Sequence, residues 1–280
     1  MSESSLYLQV ALEAAKIGGN ALLEHFERPG NSTKAQTYNL VTEADIESER
    51  RIFEFIRREF PGHDFLGEES HESNNSSPTT SNFSNSDRPT WVIDPLDGTA
   101  NFVHGIPQFA VSIAMVEHGK PRIGVIYNPV SGDLFHASDE SEAMHNGRTM
   151  VVNDARRLDK CVVGVGFHYD RDATLKPTLS AIEQIFGEGI HGIRRMGAAS
   201  LDLCNVACGR FGAYFEYRLA PWDFAAGWII VERAGGKITQ CHGEAVQLQF
   251  SSVIASNGFV HDQMVAITSS HLPGLKTVEH

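Results

Sequence analysis

The chain has 280 residues, 41% of them hydrophobic and 21% charged, enough apolar material for one large globular domain or two closely packed halves. A formal charge of −12 disfavours nucleic acid as a backbone-bound partner, because that mode depends on clustered lysine and arginine. No basic leader precedes an apolar block and no stretch reaches about 18 uncharged apolar residues, so neither secretion nor membrane insertion is expected, and a cytoplasmic location is.

In chain order, residues 5–28 place Leu6, Val10, Ala14, Ile17, Ala21 and Leu22 at helical spacing, which predicts a long amphipathic helix. A second helix is expected within NLVTEADIESERRIFEFIRREFPG, with Ile46, Phe53, Ile56 and Phe60 on one face. Thr42 and Asp45 form its capping box, and Pro61-Gly62 its stop. Residues 73–86, SNNSSPTTSNFSNS, hold almost nothing to bury, and a polar mobile loop is expected over about 71–89. Apolar runs at residues 91–93, 110–116, 123–127, 134–137 and 162–165, punctuated by glycine and proline, predict a strand-rich middle. Helices return at about 198–208, 221–234 and 260–269, with strands at 212–217, 237–239 and 253–256. Elements mixed in this way predict α/β layers with mixed sheets. Cys161, Cys204, Cys208 and Cys241 are too few and too scattered for a disulfide framework and read as reduced core thiols.

In VIDPLDGT, Val92 and Ile93 suit a strand, Pro95 cannot continue a central ladder and Gly98 permits a turn. Asp94 and Asp97 are therefore expected at a strand's carboxyl end. With the Leu96 carbonyl between them they can present oxygens to a hard cation such as Mg²⁺. A helix starting at Gly98-Thr99 would aim its first N–H groups at an anion. The structural alternative is that Asp97 caps the next helix and Asp94 satisfies turn amides. Other acids bear on the choice. Glu68 and Glu69 in FLGEES follow an apolar pair and a glycine, a costly place for adjacent like charges without a cation or solvent. Asp223, in APWDFAAGWIIVERAGG, enters the first turn of an apolar helix, where complementing the helix dipole is the role this segment by itself favours. Asp45 serves the Thr42 cap, a role compatible with a second one.

Taken together, LVTEAD, GEES at 67–70, WVIDPLDGTANFVHG at 91–105 and WDFAAGWIIVERAGG at 222–236 resemble the ordered signatures of the inositol monophosphatase family. These are Mg²⁺-dependent, lithium-sensitive sugar phosphatases related to fructose-1,6-bisphosphatase, and the likeness extends to about residue 257. It implies an α/β fold built as a five-layer α-β-α-β-α sandwich, a single domain over residues 1–280 and a homodimer. It also implies two or three Mg²⁺ ions, with Li⁺ as an inhibitor. Glu68, Asp94 and the Leu96 carbonyl resemble the ligands of a first ion, and Asp94, Asp97 and Asp223 those of a second. Glu68 also resembles a ligand of a weaker third. Gly98 and Thr99 match the phosphate-binding turn, and Asp45 with Thr99 the pair that orients or deprotonates the attacking water. Glu68, Asp45 and Thr99 are thus the implied catalytic group. Lys34 lies where the family often has a lysine near the site.

The implied reaction is hydrolysis of a small phosphorylated polyol or sugar, inositol monophosphate first, by metal-activated water in in-line attack. Glu216 matches a position that receives inositol hydroxyls. Gly197 and Ala199 in IRRMGAAS match the segment that approaches the ring, although Ala198 departs from the Ser or Thr common there. His168, Tyr169 and Arg171 replace the small serines of animal inositol phosphatases, and either shape a pocket, meet a second phosphate or form a polar loop. Fructose 1,6-bisphosphate, histidinol phosphate and a nucleotide 3'-phosphate stay open as substrates. A glycosidase is disfavoured because it needs an acid and a base flanking one bond, not a cluster of acids. A cation-dependent ligand-binding protein without turnover is the non-enzymatic alternative.

Overall fold

The computed structural model of the chain describes residues 2–26, 42–73, 88–169 and 171–273. Lys34 and most of the loop expected over 71–89 lie outside the described residues.

Two long helices open the chain, α1 (Glu3–Phe26) and α2 (Glu43–Glu59). Thr42 caps α2 as the sequence predicts: its hydroxyl accepts from the Ala44 and Asp45 amides, and Asp45 Oδ2 accepts from the Thr42 N–H. The buried face of α2 differs from the one read from the sequence. Ile46 is 55% exposed, whereas Asp45, Ser48 and Glu49 join Ile52, Phe53 and Ile56 on the inner side. A polar patch thus extends the apolar stripe toward the helix start.

There follow β1 (Asp64–Gly67), the short α3 (Glu68–Ser73), β2 (Thr90–Asp97), α4 (Thr99–Val103), β3 (Ala110–Glu117), β4 (Lys120–Asn128), β5 (Asp133–Ser138), β6 (Met144–His145) and β7 (Arg148–Thr149). These strands form one sheet in sequence order, β1 parallel to β2 and the rest antiparallel. β2 runs on through Asp94 and Pro95 to Asp97, further than Pro95 led us to expect. Its register against β3 shifts between Asp94 and Asp97, and that irregularity accommodates a residue with no N–H to give the ladder.

The second half contains β8 (Val162–Val165), α5 (Arg171–Gly187), β9 (Gly192–Arg194), α6 (Ala199–Ala207), β10 (Ala213–Leu219), α7 (Pro221–Arg233), β11 (Lys237–Thr239), β12 (Ser251–Ser256) and α8 (His261–Ser269). Its sheet has the order β11-β12-β10-β8-β9, with β8 parallel to both β10 and β9. The sequence reading missed α5, which carries Pro177 inside it.

α1 and α2 cover the outer face of the first sheet, α6 and α7 lie between the sheets, and α5 and α8 cover the second sheet's outer face. Each junction has its own apolar core: Trp91, Ile93 and Phe109 with α1 and α2, Phe224, Ile230 and Leu203 between the sheets, and Phe215, Tyr217 and Ile185 beyond. These are the α-β-α-β-α layers that the family likeness implied. The cysteines are free; Cys161, Cys204 and Cys241 are buried and Cys208 partly so.

Candidate active site

The end of β2 supplies the centre of the site. Asp94 is 1% exposed, and its Oδ1 accepts from the Leu96 N–H at 2.9 Å. The Thr99 hydroxyl lies 3.1 Å from the Leu96 carbonyl and 3.4 Å from Asp45 Oδ1, and donates to one of them at a time. Gly98 turns the chain with φ +96°, and a Cβ there would stand 3.0 Å from the Gln108 carbonyl, so the turn requires glycine. Asp97 caps a helix, but not the next one. Its Oδ1 accepts from the Ala199 N–H at 3.1 Å, and its Oδ2 from the Ser200 N–H at 2.7 Å and the Ser200 hydroxyl, so it caps α6 from across the molecule.

Glu68 opens α3, and Glu49 of α2 holds that turn in place. Glu49 Oε2 accepts from the Glu69 N–H at 3.0 Å, while Oε1 accepts from the Ser70 N–H at 3.0 Å and the Ser70 hydroxyl at 2.6 Å. The approach needs Gly67, where a Cβ would lie 2.3 Å from Glu49 Oε2. Asp223 enters from α7, its Oδ2 accepting from the Ala220 N–H at 2.7 Å. Asp94 and Asp223 fill the structural roles considered from sequence, whereas Asp97 caps α6 in place of the helix that follows it; these bonds coexist with convergence on one place.

The electrostatics record that convergence. Burial, then the charges of Asp94 and Asp223, hold the Glu68 carboxyl well above its ordinary range. Burial, then Asp97 and Asp223, do the same to Asp94, and burial, then Asp97, to Asp223. Burial lifts Asp97 to about 6 against its helix-cap bonds, and Asp45 to about 6 against its bonds to Thr42 and Thr99. Among the described residues, no three His, Cys, Asp or Glu groups stand ready to hold an ion as placed. Buried carboxylates that raise one another's pKa, with a backbone carbonyl beside them, form a hard-oxygen donor set suited to Mg²⁺.

Beside the acids lies a cavity lined by six of the residues singled out from sequence: Asp97, Gly98, Gly197, Ala199, Glu216 and Asp223. Glu216 accepts from the Tyr214 hydroxyl at 2.7 Å, and burial pushes its carboxyl up to about 7. His168 and Tyr169 also line the cavity. Tyr169 is 48% exposed as a residue, yet desolvation of its hydroxyl, then the charges of Glu68 and Asp223, raise its pKa. The Arg171 side chain lies outside the description.

Sequence reasoning missed Glu49, Arg195, Asp202, Tyr214 and Arg218, of which the last four line this cavity. Signals existed for most. Glu49 lies one helical turn from Asp45 on the same face, Asp202 is an acid among the apolar residues of ASLDLCNVA, and Tyr214 and Arg218 alternate with Glu216 along β10. For Arg195 nothing in IRRMGAAS tells which arginine faces inward. Among the described residues no helix is long and apolar enough to cross a membrane.

The sequence model of the inositol monophosphatase family matches residues 3–272. Inositol monophosphatase 3 of Solanum lycopersicum is 36% identical over 261 residues, 92% of this chain and 95% of that protein. The fructose-1,6-bisphosphatase/inositol-1-monophosphatase of Thermotoga maritima is 34% identical over 263 residues, 94% of this chain and 95% of that one. The solved structure of an inositol monophosphatase from Anabaena aligns with a TM-score of 0.81 at 35% identity, covering 98% of this chain and 99% of that one.

Proposed function

The chain belongs to the inositol monophosphatase family and is a phosphoric monoester hydrolase, and from that premise we propose that it hydrolyses a small polyol or sugar phosphate, inositol monophosphate ahead of others. The observation that supports this most is the gathering of Glu68, Asp94, Asp97 and Asp223, four acids from distant parts of the chain, beside a cavity walled by Glu216. Glu68, Asp94, Asp97, Asp223 and the Leu96 carbonyl would hold two or three Mg²⁺ ions. When bound, such ions acidify water and neutralise phosphoryl oxygens.

The remaining steps belong to the chain's own groups. Thr99 Oγ, set beside Asp45 Oδ1, accepts a proton from the attacking water and passes its own to Asp45. The Gly98 and Thr99 amides meet the phosphoryl oxygens at the start of α4. Glu216 accepts from substrate hydroxyls, and Gly197 and Ala199, lacking bulk, let the ring approach. Action as one domain over residues 1–280, assembly as a homodimer, a cytoplasmic location, the lack of a nucleic-acid or membrane partner and inhibition by Li⁺ belong to the same proposal. The double name of the Thermotoga relative keeps a sugar bisphosphate in view.

A phosphate-release screen over inositol 1-phosphate, fructose 1,6-bisphosphate, histidinol phosphate and a nucleotide 3'-phosphate tests this reading. Inositol 1-phosphate is expected to show the highest kcat/KM, and chelation to abolish turnover. Asp94→Asn is expected to lose at least about 100-fold in kcat with an unchanged circular dichroism spectrum, as when preorganised transition-state stabilisation is removed. Turnover that survives chelation, or an undiminished Asp94→Asn rate, would overturn the proposal.

A further inference from the structure

Asp202 lines the cavity but has no task in the mechanism above. The residue is 1% exposed, and among the described residues its buried Oδ1 has no hydrogen-bond partner. The other acids of the cavity wall are bonded: Asp97 by the start of α6, Glu216 by Tyr214 and Asp223 by Ala220. Burial, then the charges of Asp97 and Glu216, raise the Asp202 carboxyl, while a hydrogen bond with Asn205 and the charge of Arg195 act the other way. Asp202 therefore shares the cavity wall with Asp97, Glu216 and Arg195 and feels the charge of all three.

Folded proteins seldom leave a buried acceptor unmatched, because its desolvation is then uncompensated. The neighbours of Asp202 on α6 are Leu201 and Leu203, both buried, and an apolar residue at 202 would remove that cost. A ligand donor reaching Oδ1 would remove it too. With Tyr214 already bonded to Glu216 Oε2, the second Glu216 oxygen and the Asp202 carboxyl are the acceptors along this wall of the cavity.

We propose that Asp202 is a specificity-determining residue, accepting a hydrogen bond from a second hydroxyl of the substrate's alcohol while Glu216 receives the first. The inference deepens the phosphatase reading and rests on it: the substrate class narrows to esters of polyols with neighbouring hydroxyls. An alcohol lacking that donor leaves the carboxylate unpaired, and this penalty is the source of the discrimination.

The test compares wild type with Asp202→Leu, and with Asp202→Asn as the variant that keeps one acceptor. Inositol 1-phosphate and phenyl phosphate, which has no hydroxyl, are the substrates. Thermal melting is followed with and without free inositol. In Asp202→Leu, kcat/KM for inositol 1-phosphate is expected to fall about 10- to 100-fold, the loss typical of a hydrogen bond to a charged group, while that for phenyl phosphate stays within about twofold. Asp202→Asn should fall between. The melting temperature without ligand should hold or rise in Asp202→Leu, and the shift caused by inositol should shrink. Equal losses on both esters together with a lower melting temperature would assign Asp202 a structural role, and an unchanged ratio would equally overturn the proposal. If wild type hydrolyses neither ester, the phosphatase reading fails by itself. The inositol-induced melting shift then decides, surviving intact in the variants only if Asp202 is no polyol contact.

Discussion

Replacing Glu49 separates holding the proposed metal ligand Glu68 in place from being one. Alanine at 49 would take away the two oxygens that now accept from the Glu69 and Ser70 amides and the Ser70 hydroxyl. Losing a helix-capping side chain costs about 1–2 kcal/mol. Because burial already holds Glu49 above its ordinary pKa despite those bonds, the loss should lie near the lower figure, a fall of about 2–4 °C in Tm for a chain of this size. The larger effect is expected on Glu68, the neighbour whose turn Glu49 fixes. Removing the group that orients a metal ligand typically weakens metal affinity about 10- to 100-fold. Phosphate release measured against Mg²⁺ concentration should therefore show the half-saturating Mg²⁺ rising by that factor in Glu49→Ala, with kcat largely recovered at saturation. Glu49→Gln, which keeps one carbonyl acceptor, should lie between. An unchanged Mg²⁺ requirement in a well-folded variant would refute the positioning role.

Two further outcomes are expected. His261 is 1% exposed, with Nε2 2.9 Å from Thr239 Oγ and Nδ1 2.8 Å from Ser256 Oγ, and burial lowers its pKa from 6.5 to about 4. The unfolded chain therefore takes up the proton first as pH falls, so the stabilisation is complete above the unfolded value and is lost toward the folded one, by up to about 3 kcal/mol. The active-site acids, with raised folded pKa values, act in the opposite sense, so the measurement is the difference in urea stability between wild type and His261→Gln. That difference should shrink from pH 7.5 to pH 5, and a constant difference would contradict the assignment. At Gly166 an added Cβ would lie 1.7 Å from Glu216 Oε2 and 2.7 Å from Tyr214 Oη. Gly166→Ala should therefore raise KM for inositol 1-phosphate about 10-fold or more while sparing phenyl phosphate, and equal effects on both would contradict the placing of the polyol.

What the sequence made legible follows the range of the forces involved. β8 is found at the residues its apolar run marks, and α7 within a residue of its expected end, because short apolar periods report local burial directly. α5 escaped because Pro177 and a threonine-rich start blur its period. The inner face of α2 was misread because its first turns bury Asp45 and Glu49 in place of Ile46, an exchange that makes sense only once α3 and β2 are seen docking there. The acids themselves were legible as motifs. The bonds that hold them were not: Asp97 reaches across to Ser200 and Glu49 to Ser70, and neither pairing leaves a mark in the neighbouring residues.

Asp97 belongs to β2 in the first sheet, while the amides it accepts from begin α6, which packs toward the second. One carboxylate is thus both a proposed ion ligand and a keystone, so on that proposal a chain in which only one sheet has assembled contains no fraction of a working centre. Turnover should appear abruptly and last during refolding, and regained activity would time the moment at which the two halves clasp.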